Sequence, residues 1–286
     1  MKIQKRKPHW LKVKLPGGVN FSKVNKIVHD EQLFTVCQSA RCPNLGECWS
    51  RQTATFMILG DICTRDCGFC AVKSGRPKHL EFDEPVRVAN AVKGLNLKYV
   101  VVTSVTRDDL PDGGASYFAS TIQQIRKKQP DCRIEVLIPD FKGSPEALKT
   151  VLRAQPDVLN HNVETVPELY KKVRPQADYQ QSLDLLKRAA DFGAKTKSGI
   201  MVGIGESTSQ VYNVMTDLLK IKCKMLTIGQ YLQPSKEHLP VERYVTPDEF
   251  AAYKNYGLAL GFKHIEAGPL VRSSYHADEQ FMDKKQ

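Results

Sequence analysis

The 286 residues carry 42 lysines and arginines against 31 aspartates and glutamates, a formal net charge of +11. No apolar run reaches the length of a membrane span, and the opening Met1-Lys-Ile-Gln-Lys-Arg-Lys-Pro has no apolar stretch of the kind a secretory signal needs. The expectation is a cytoplasmic protein, its length suiting one large catalytic domain or two modest ones. Its positive surface, lacking aromatic–basic interleaving, points to an acidic protein partner rather than to nucleic acid.

Residues 1–36 read as a basic arm: six of the first fourteen are Lys or Arg, and a Pro-Gly-Gly turn follows at 16–18. A helix is expected over 21–31, where Val24, Ile27 and Val28 share one face. Next come Cys37, Cys42 and Cys48, spaced C-x4-C-x5-C. Pro43, Asn44 and Gly46 are turn formers, so these thiols are expected on an irregular loop able to converge on one centre. A second trio, Cys63, Cys67 and Cys70, follows a short apolar strand at 55–59 and reads Cys-Thr-Arg-Asp-Cys-Gly-Phe-Cys. In a reducing compartment such clusters are more often metal ligands than disulfides. Zinc takes four ligands, so pooling six cysteines into one zinc site leaves two over. A redox pair at Cys67 and Cys70 leaves Cys63 unexplained. Two separate three-thiolate clusters fit better, because three thiolates on a [4Fe–4S] cluster leave one iron open to a small molecule. The Cys63 spacing, with Phe69 before its last cysteine, resembles the radical S-adenosylmethionine signature, in which the methionyl amine and carboxylate chelate the open iron. Cys132 and Cys223 stand alone and are expected to be buried core residues.

Strands are expected at 99–104, 134–139, 158–161, 199–202, 225–231 and 264–267. They alternate with helices at 85–95, 115–128, 145–153, 182–192, 209–221 and 247–260. With 55–59 this makes six or seven β/α units, which implies a parallel sheet with right-handed crossovers. The predicted fold is α/β, an open, partial (β/α)6-type barrel whose mouth is covered by N-terminal and C-terminal extensions. The division is 1–50 for the extension carrying the first trio, 51–262 for the barrel and 263–286 for the C-terminal extension. Active-site groups gather at the C-terminal ends of such strands. Ser104 stands there, with Asp108 and Asp109 close behind and equally readable as a helix-entry turn. Asn162 and Glu164 could cap or salt-bridge, and their strand-end location favours contact with a ribose. Gly203 and Glu206 belong to a glycine turn that suits close approach of adenosine; no Gly-Lys-Ser/Thr follows, which argues against phosphate. His161 reads as a hydrogen-bonded core histidine. The chain closes with Arg272-Ser273-Ser274-Tyr275 and a charged tail from Asp278 that is expected to fray.

Taken together, the two cysteine trios and the terminal Arg-Ser-Ser-Tyr resemble the lipoyl synthase family over nearly the whole chain, from Trp10 to about His276. The resemblance implies two [4Fe–4S] clusters and S-adenosylmethionine as cofactors. Cys63, Cys67 and Cys70 would hold the cluster that cleaves S-adenosylmethionine to methionine and a 5′-deoxyadenosyl radical. Cys37, Cys42 and Cys48 would hold an auxiliary cluster, with a serine of the terminal motif as fourth ligand; motif position favours Ser274 over Ser273. The reaction implied is insertion of two sulfur atoms from the auxiliary cluster at carbons 6 and 8 of an octanoyl-lysine on a carrier protein. Implied partners are octanoylated lipoyl-carrier domains, a low-potential electron donor of flavodoxin or ferredoxin type and a cluster-rebuilding carrier. No coiled coil is legible, so a monomer is expected.

Overall fold

The structure is a computed structural model that describes residues 6–13, 16–77, 79–277 and 279. The tail expected to fray from Asp278 lies outside the described residues, Glu279 apart. Strand β1 (Phe34–Thr35) pairs antiparallel with β2 (Thr55–Ile58) at one edge of the sheet. From β2 onward every strand is parallel: β3 (Tyr99–Ser104), β4 (Arg133–Leu137), β5 (Val158–Asn160), β6 (Thr196–Val202), β7 (Met225–Gln230) and β8 (His264–Gly268) follow in sequence order. The two edges do not pair with each other, so the curved sheet stays open. This is the expected partial barrel, six β/α units and a final strand.

Helix α1 (Val19–Asp30) packs on α3 (Leu45–Ser50) and on α4 (Glu84–Gly94) with Val24 and Val28 buried, while α2 (Val36–Ser39) follows β1 directly. The crossovers are α4, α5 (Ala115–Lys128), α6 (Pro145–Arg153), α8 (Tyr179–Asp191), α9 (Thr208–Lys220) and α10 (Pro247–Leu260), with the single turn α7 (Tyr170–Val173) ahead of α8. Their starts are written locally. Ser207 with Gln210 and Thr246 with Glu249 form capping boxes, and Ser144 and Asp178 cap α6 and α8. Strands covered on both faces read as continuous β-branched runs, as in Tyr99-Val-Val-Val-Thr-Ser. Alternation then sorts them: Phe56, Ile58, Val100 and Val102 are sealed under the helices, whereas Thr55, Met57, Val101 and Thr103 face the barrel interior. Low in that interior, Glu135 accepts bonds from Tyr99 Oη, Asn160 Nδ2 and Lys197 Nζ. Cys132 and Cys223 are buried, as expected. No helix among the described residues is long and apolar enough to cross a membrane.

One local expectation is corrected. The first trio does not sit on an irregular loop: Cys37 lies in α2, Cys48 in α3, and only Cys42 on the turn between them. Thr35 caps α2 by accepting from Gln38 N, and the turn formers are recruited into helix entry, with Asn44 preceding α3 and Gly46 buried within it.

Candidate active site

Cys63 ends the first of two short strands, Ile62–Cys63 and Lys73–Ser74, which pair in parallel, and Cys67 and Cys70 lie on the loop between them. Thr64 N donates to Thr106 O, drawing this loop onto the one that leaves β3. The Cys63 sulfur accepts two backbone bonds, from Arg65 N at 3.4 Å and Thr106 N at 3.3 Å. Further on, Gly68 N donates to Val173 O, and Leu239 N donates to Gly68 O. His238 Nε2 lies 2.8 Å from Cys70 O. Burial pushes the Cys67 and Cys70 thiols up, Cys70 to about 12; Cys67 also feels the like charge of Cys63, and Cys70 that of both trio partners. Arg174 draws Cys67 back down.

The Cys37 trio is assembled from α2, the turn and α3. Cys42 N donates to Cys37 O, and Cys48 N to Asn44 O. Burial pushes Cys37 to about 11 and Cys48 to about 12, again reinforced by trio partners. Cys42 is raised by burial and lowered by Arg272. The C-terminal segment is stitched to this trio's frame. Asn44 Nδ2 donates to Leu270 O at 2.6 Å, and Tyr275 Oη donates to Glu47 Oε1 at 3.0 Å. Thr55 Oγ1 donates to Ser274 Oγ at 2.7 Å, while Ser273 Oγ accepts from Asn162 Nδ2 at 2.5 Å.

Both trios, Ser273 and Ser274 open into one cavity of about 710 Å3. Phe69, Ser104, Asn162 and Glu164 line it as well; Gly203 and Glu206 do not. The Glu206 carboxylate instead accepts from the N–H groups of Gly203, Ile204 and Gly205, so the glycine turn satisfies itself and has no donor left over for a ligand. Asn162 Nδ2 also donates to Glu164 Oε1 at 3.0 Å. Burial raises Glu164, opposed by Arg174 and Asn162. Asp108 and Asp109 resolve into ion pairs, with Arg65 and Arg107. His161 is buried, with Nδ1 bonded to Ile138 O and Nε2 3.1 Å from Ser182 Oγ.

Four residues were not legible in the sequence. Arg65 pairs with both Asp108 and Asp140, and Arg174 donates to Asn162 O and Tyr170 Oη. Arg272 is half-buried and lowers the Cys42 thiol beside it. Gly199 leaves room for Asn162, since a Cβ there would stand 2.7 Å from Asn162 Oδ1. Arg65, inside the cysteine signature, and Arg272, inside the terminal Arg-Ser-Ser-Tyr, had positions that could have drawn attention.

The donor set fits iron–sulfur clusters. Crowded thiols, Cys37 buried and the other five half-buried, ionise only where a cation offsets their mutual repulsion. Among the described residues no three His, Cys, Asp or Glu side chains close round a single metal ion, whereas a cubane spreads its thiolates over separate irons. The cavity wall also presents Ser104 Oγ and Asn162 Oδ1, buried without a protein partner, which a polar cofactor would satisfy.

The model of the Radical SAM superfamily matches residues 57–218, and that of the N-terminal domain of lipoyl synthase of the Radical SAM family matches residues 1–42. The chain is 58% identical to lipoyl synthase of Caldanaerobacter subterraneus subsp. tengcongensis over 96% of either chain. It is 56% identical to lipoyl synthase of Rubrobacter xylanophilus, over 98% of this chain and 88% of that one. Among solved structures it resembles Streptococcus suis SuiB bound to S-adenosylmethionine, with a TM-score of 0.59 and 11% identity over 79% of this chain. The FeFe-hydrogenase maturase HydG from Carboxydothermus hydrogenoformans gives a TM-score of 0.56 and 16% identity over 80% of this chain. The chain spans 55% and 60% of those two proteins, and at such identity the likeness is one of fold.

Proposed function

The chain belongs to the lipoyl synthase family of the radical SAM superfamily, and from that premise we propose how its own residues serve sulfur insertion at carbons 6 and 8 of a protein-bound octanoyl-lysine. Cys63, Cys67 and Cys70 hold the [4Fe–4S] cluster that binds S-adenosylmethionine. Cys37, Cys42, Cys48 and Ser274 hold a second, auxiliary cluster. When bound, these groups supply radical hydrogen abstraction from unactivated carbon and the sulfur that replaces the hydrogen, chemistry that acid–base side chains cannot perform.

The protein's part is placement. Residues 51–262 serve as the body of the barrel, which β8 completes, and the segments before it and after β8 serve as extensions that bring the second cluster to its open side. Ser104, Asn162 and Glu164 face the cofactor's polar groups and Phe69 its apolar surface. Asn162 does double duty, bonded to Glu164 on one side and to Ser273 on the other. Ser274 Oγ is held against Thr55, and serine oxygen is a harder, weaker ligand for iron than thiolate, so it is the weakest bond of its ligand set. Lys7 and Arg41, both exposed at the cavity, suit an acidic carrier domain bearing the octanoyl group. The other partners in this reading are a low-potential flavodoxin- or ferredoxin-type donor and a carrier that rebuilds the auxiliary cluster, all in the cytoplasm.

The observation that carries the reading is the opening of both cysteine trios and the serine pair into one cavity. The test is an anaerobic reaction of reconstituted protein with S-adenosylmethionine, a strong reductant and an octanoyl-lysyl peptide, followed by mass spectrometry. A peptide that gains two sulfurs and stalls near one turnover is the expected result. Release of 5′-deoxyadenosine with no thiolated peptide would overturn the substrate assignment, and neither product from protein holding both clusters would overturn the enzyme reading.

A further inference from the structure

We propose that Arg65 is a positioning residue: by clamping the cysteine loop to the ends of β3 and β4, it holds two backbone N–H groups on the sulfur of Cys63. The inference rests on the reading above that Cys63 is a cluster ligand.

The guanidinium sits between two carboxylates. Nε and Nη2 donate to Asp108 at 2.7 and 3.0 Å, and Nη1 and Nη2 donate to Asp140 at 2.7 Å each. The Arg65 side chain is 5% exposed and that of Asp140 is fully buried. Asp140 is itself fixed by accepting from Lys142 N, and the guanidinium holds its carboxyl down to about 2, so the clamp stays charged. Asp108 is anchored in turn: its N–H donates to Thr64 Oγ1, and its carbonyl accepts from Lys142 Nζ. Three loops that leave three adjacent strands are thus cross-linked through one side chain.

The clamp converges on the Cys63 sulfur. Thr64 N and Oγ1 both donate to Thr106 O at 3.0 Å, which sets the cysteine loop against the loop after β3. That register leaves Thr106 N and Arg65 N pointing at Cys63 Sγ. Hydrogen bonds to a ligating sulfur withdraw charge from the metal centre and raise its reduction potential. The bidentate fork to two carboxylates demands arginine, because lysine is a point charge with no planar donor pair.

The test uses Arg65→Lys, which keeps the charge, and Asp108→Asn, at the half-buried partner. In cluster-free protein, amide exchange is followed by mass spectrometry over 63–66 and 105–108, with α9 as internal reference. Exchange about tenfold faster at the two loops and unchanged in α9 is expected. In parallel, the midpoint potential of the Cys63-trio cluster is read by electron paramagnetic resonance in a Cys37→Ala, Cys42→Ala, Cys48→Ala background. A more negative midpoint at normal iron content is expected. Unchanged exchange overturns the proposal, as does an unchanged midpoint. Faster exchange in α9 as much as in the loops also overturns it, since Arg65 would then be a general brace. If the parent background takes up no cluster, the reading of Cys63 as a ligand falls, and the exchange arm still decides the clamp.

Discussion

Gly199→Ala asks how firmly Asn162 must be held. The position is ordinary in backbone terms, with φ outside the left-handed region, so an alanine brings no backbone strain. The added Cβ would stand 2.7 Å from Asn162 Oδ1 and 2.8 Å from Thr227 Oγ1, where ordinary contact begins at 3.4 Å. The strand cannot easily give way: β6 is hydrogen-bonded on both sides, and Gly199 O accepts from Glu164 N. Asn162 must therefore retreat by about 0.7 Å, the shortfall between those distances, loosening its bonds to Glu164 and Ser273. Overpacking of this kind costs about 1–3 kcal/mol, partly offset by about 0.4–1 kcal/mol from a stiffer unfolded chain. The net cost, at most about 2.6 kcal/mol from those two figures, should lower the melting temperature by up to about 6 °C. Misplacement of a positioning group at this scale should slow single-turnover formation of 5′-deoxyadenosine and of thiolated peptide by about 10- to 100-fold. The double-mutant cycle with Asn162→Ala sharpens the test. If Asn162 carries the effect, Gly199→Ala adds little once the asparagine is gone. Wild-type rates in Gly199→Ala, or full additivity in the cycle, would refute the reasoning.

The trios should separate by function. Cys63→Ala should lose about half the iron and all cleavage of S-adenosylmethionine, whereas Cys37→Ala should lose similar iron but still release 5′-deoxyadenosine without thiolating the peptide; iron assay and chromatography decide. Ser274→Ala should impair sulfur transfer more than Ser273→Ala, with cleavage of S-adenosylmethionine retained in both, and the reverse ranking would move the ligand to Ser273. Burial, aided by Arg174, pulls the His161 imidazole down from 6.5 to about 4. As pH falls through 6.5 the unfolded chain takes a proton that the folded chain refuses, so this contribution to stability is full above about 6.5 and is lost toward about 4 at up to about 1.4 kcal/mol per pH unit. Urea midpoints for the wild type and His161→Gln should therefore converge across that window, and parallel pH profiles would show that His161 takes its proton at the same pH in the folded and the unfolded chain.

The strands of the barrel were legible because the sheet is covered on both faces, which forces runs such as Val100-Val101-Val102 into the sequence. The edge strand β1 was not, since Phe34 and Thr35 are too few to show a period. The helices around the first trio were missed for a related reason. Asn44 reads as a turn former, yet its side chain goes to Leu270 O, a partner 226 residues away. The cysteines announced themselves by spacing, but Arg65 and Arg174 did not, because their partners lie on strand ends that only the folded sheet brings together. Gly203 and Glu206 show the converse. The local pattern looked receptive, and the carboxylate three residues along fills it.

The serine pair shows why placement and ligation are inseparable in this cavity. Neighbouring side chains reach opposite walls: Ser273 meets Asn162 just past the end of β5, and Ser274 meets Thr55 at the start of β2. Strands β3 and β4 lie between those two in the sheet, so the C-terminal segment spans the open barrel from one side to the other. Under the proposed assignment one wall faces S-adenosylmethionine and the other the auxiliary cluster. The spacing between hydrogen abstraction and sulfur delivery is then set by two consecutive residues of a single backbone. That spacing has to suit two carbons of one flexible octanoyl chain, and two consecutive residues, each hydrogen-bonded to a different wall, do this without ordering a separate domain. A change at Asn162 that never touches the auxiliary cysteines should therefore still disturb sulfur insertion, because it moves Ser273, and Ser274 is the next residue along.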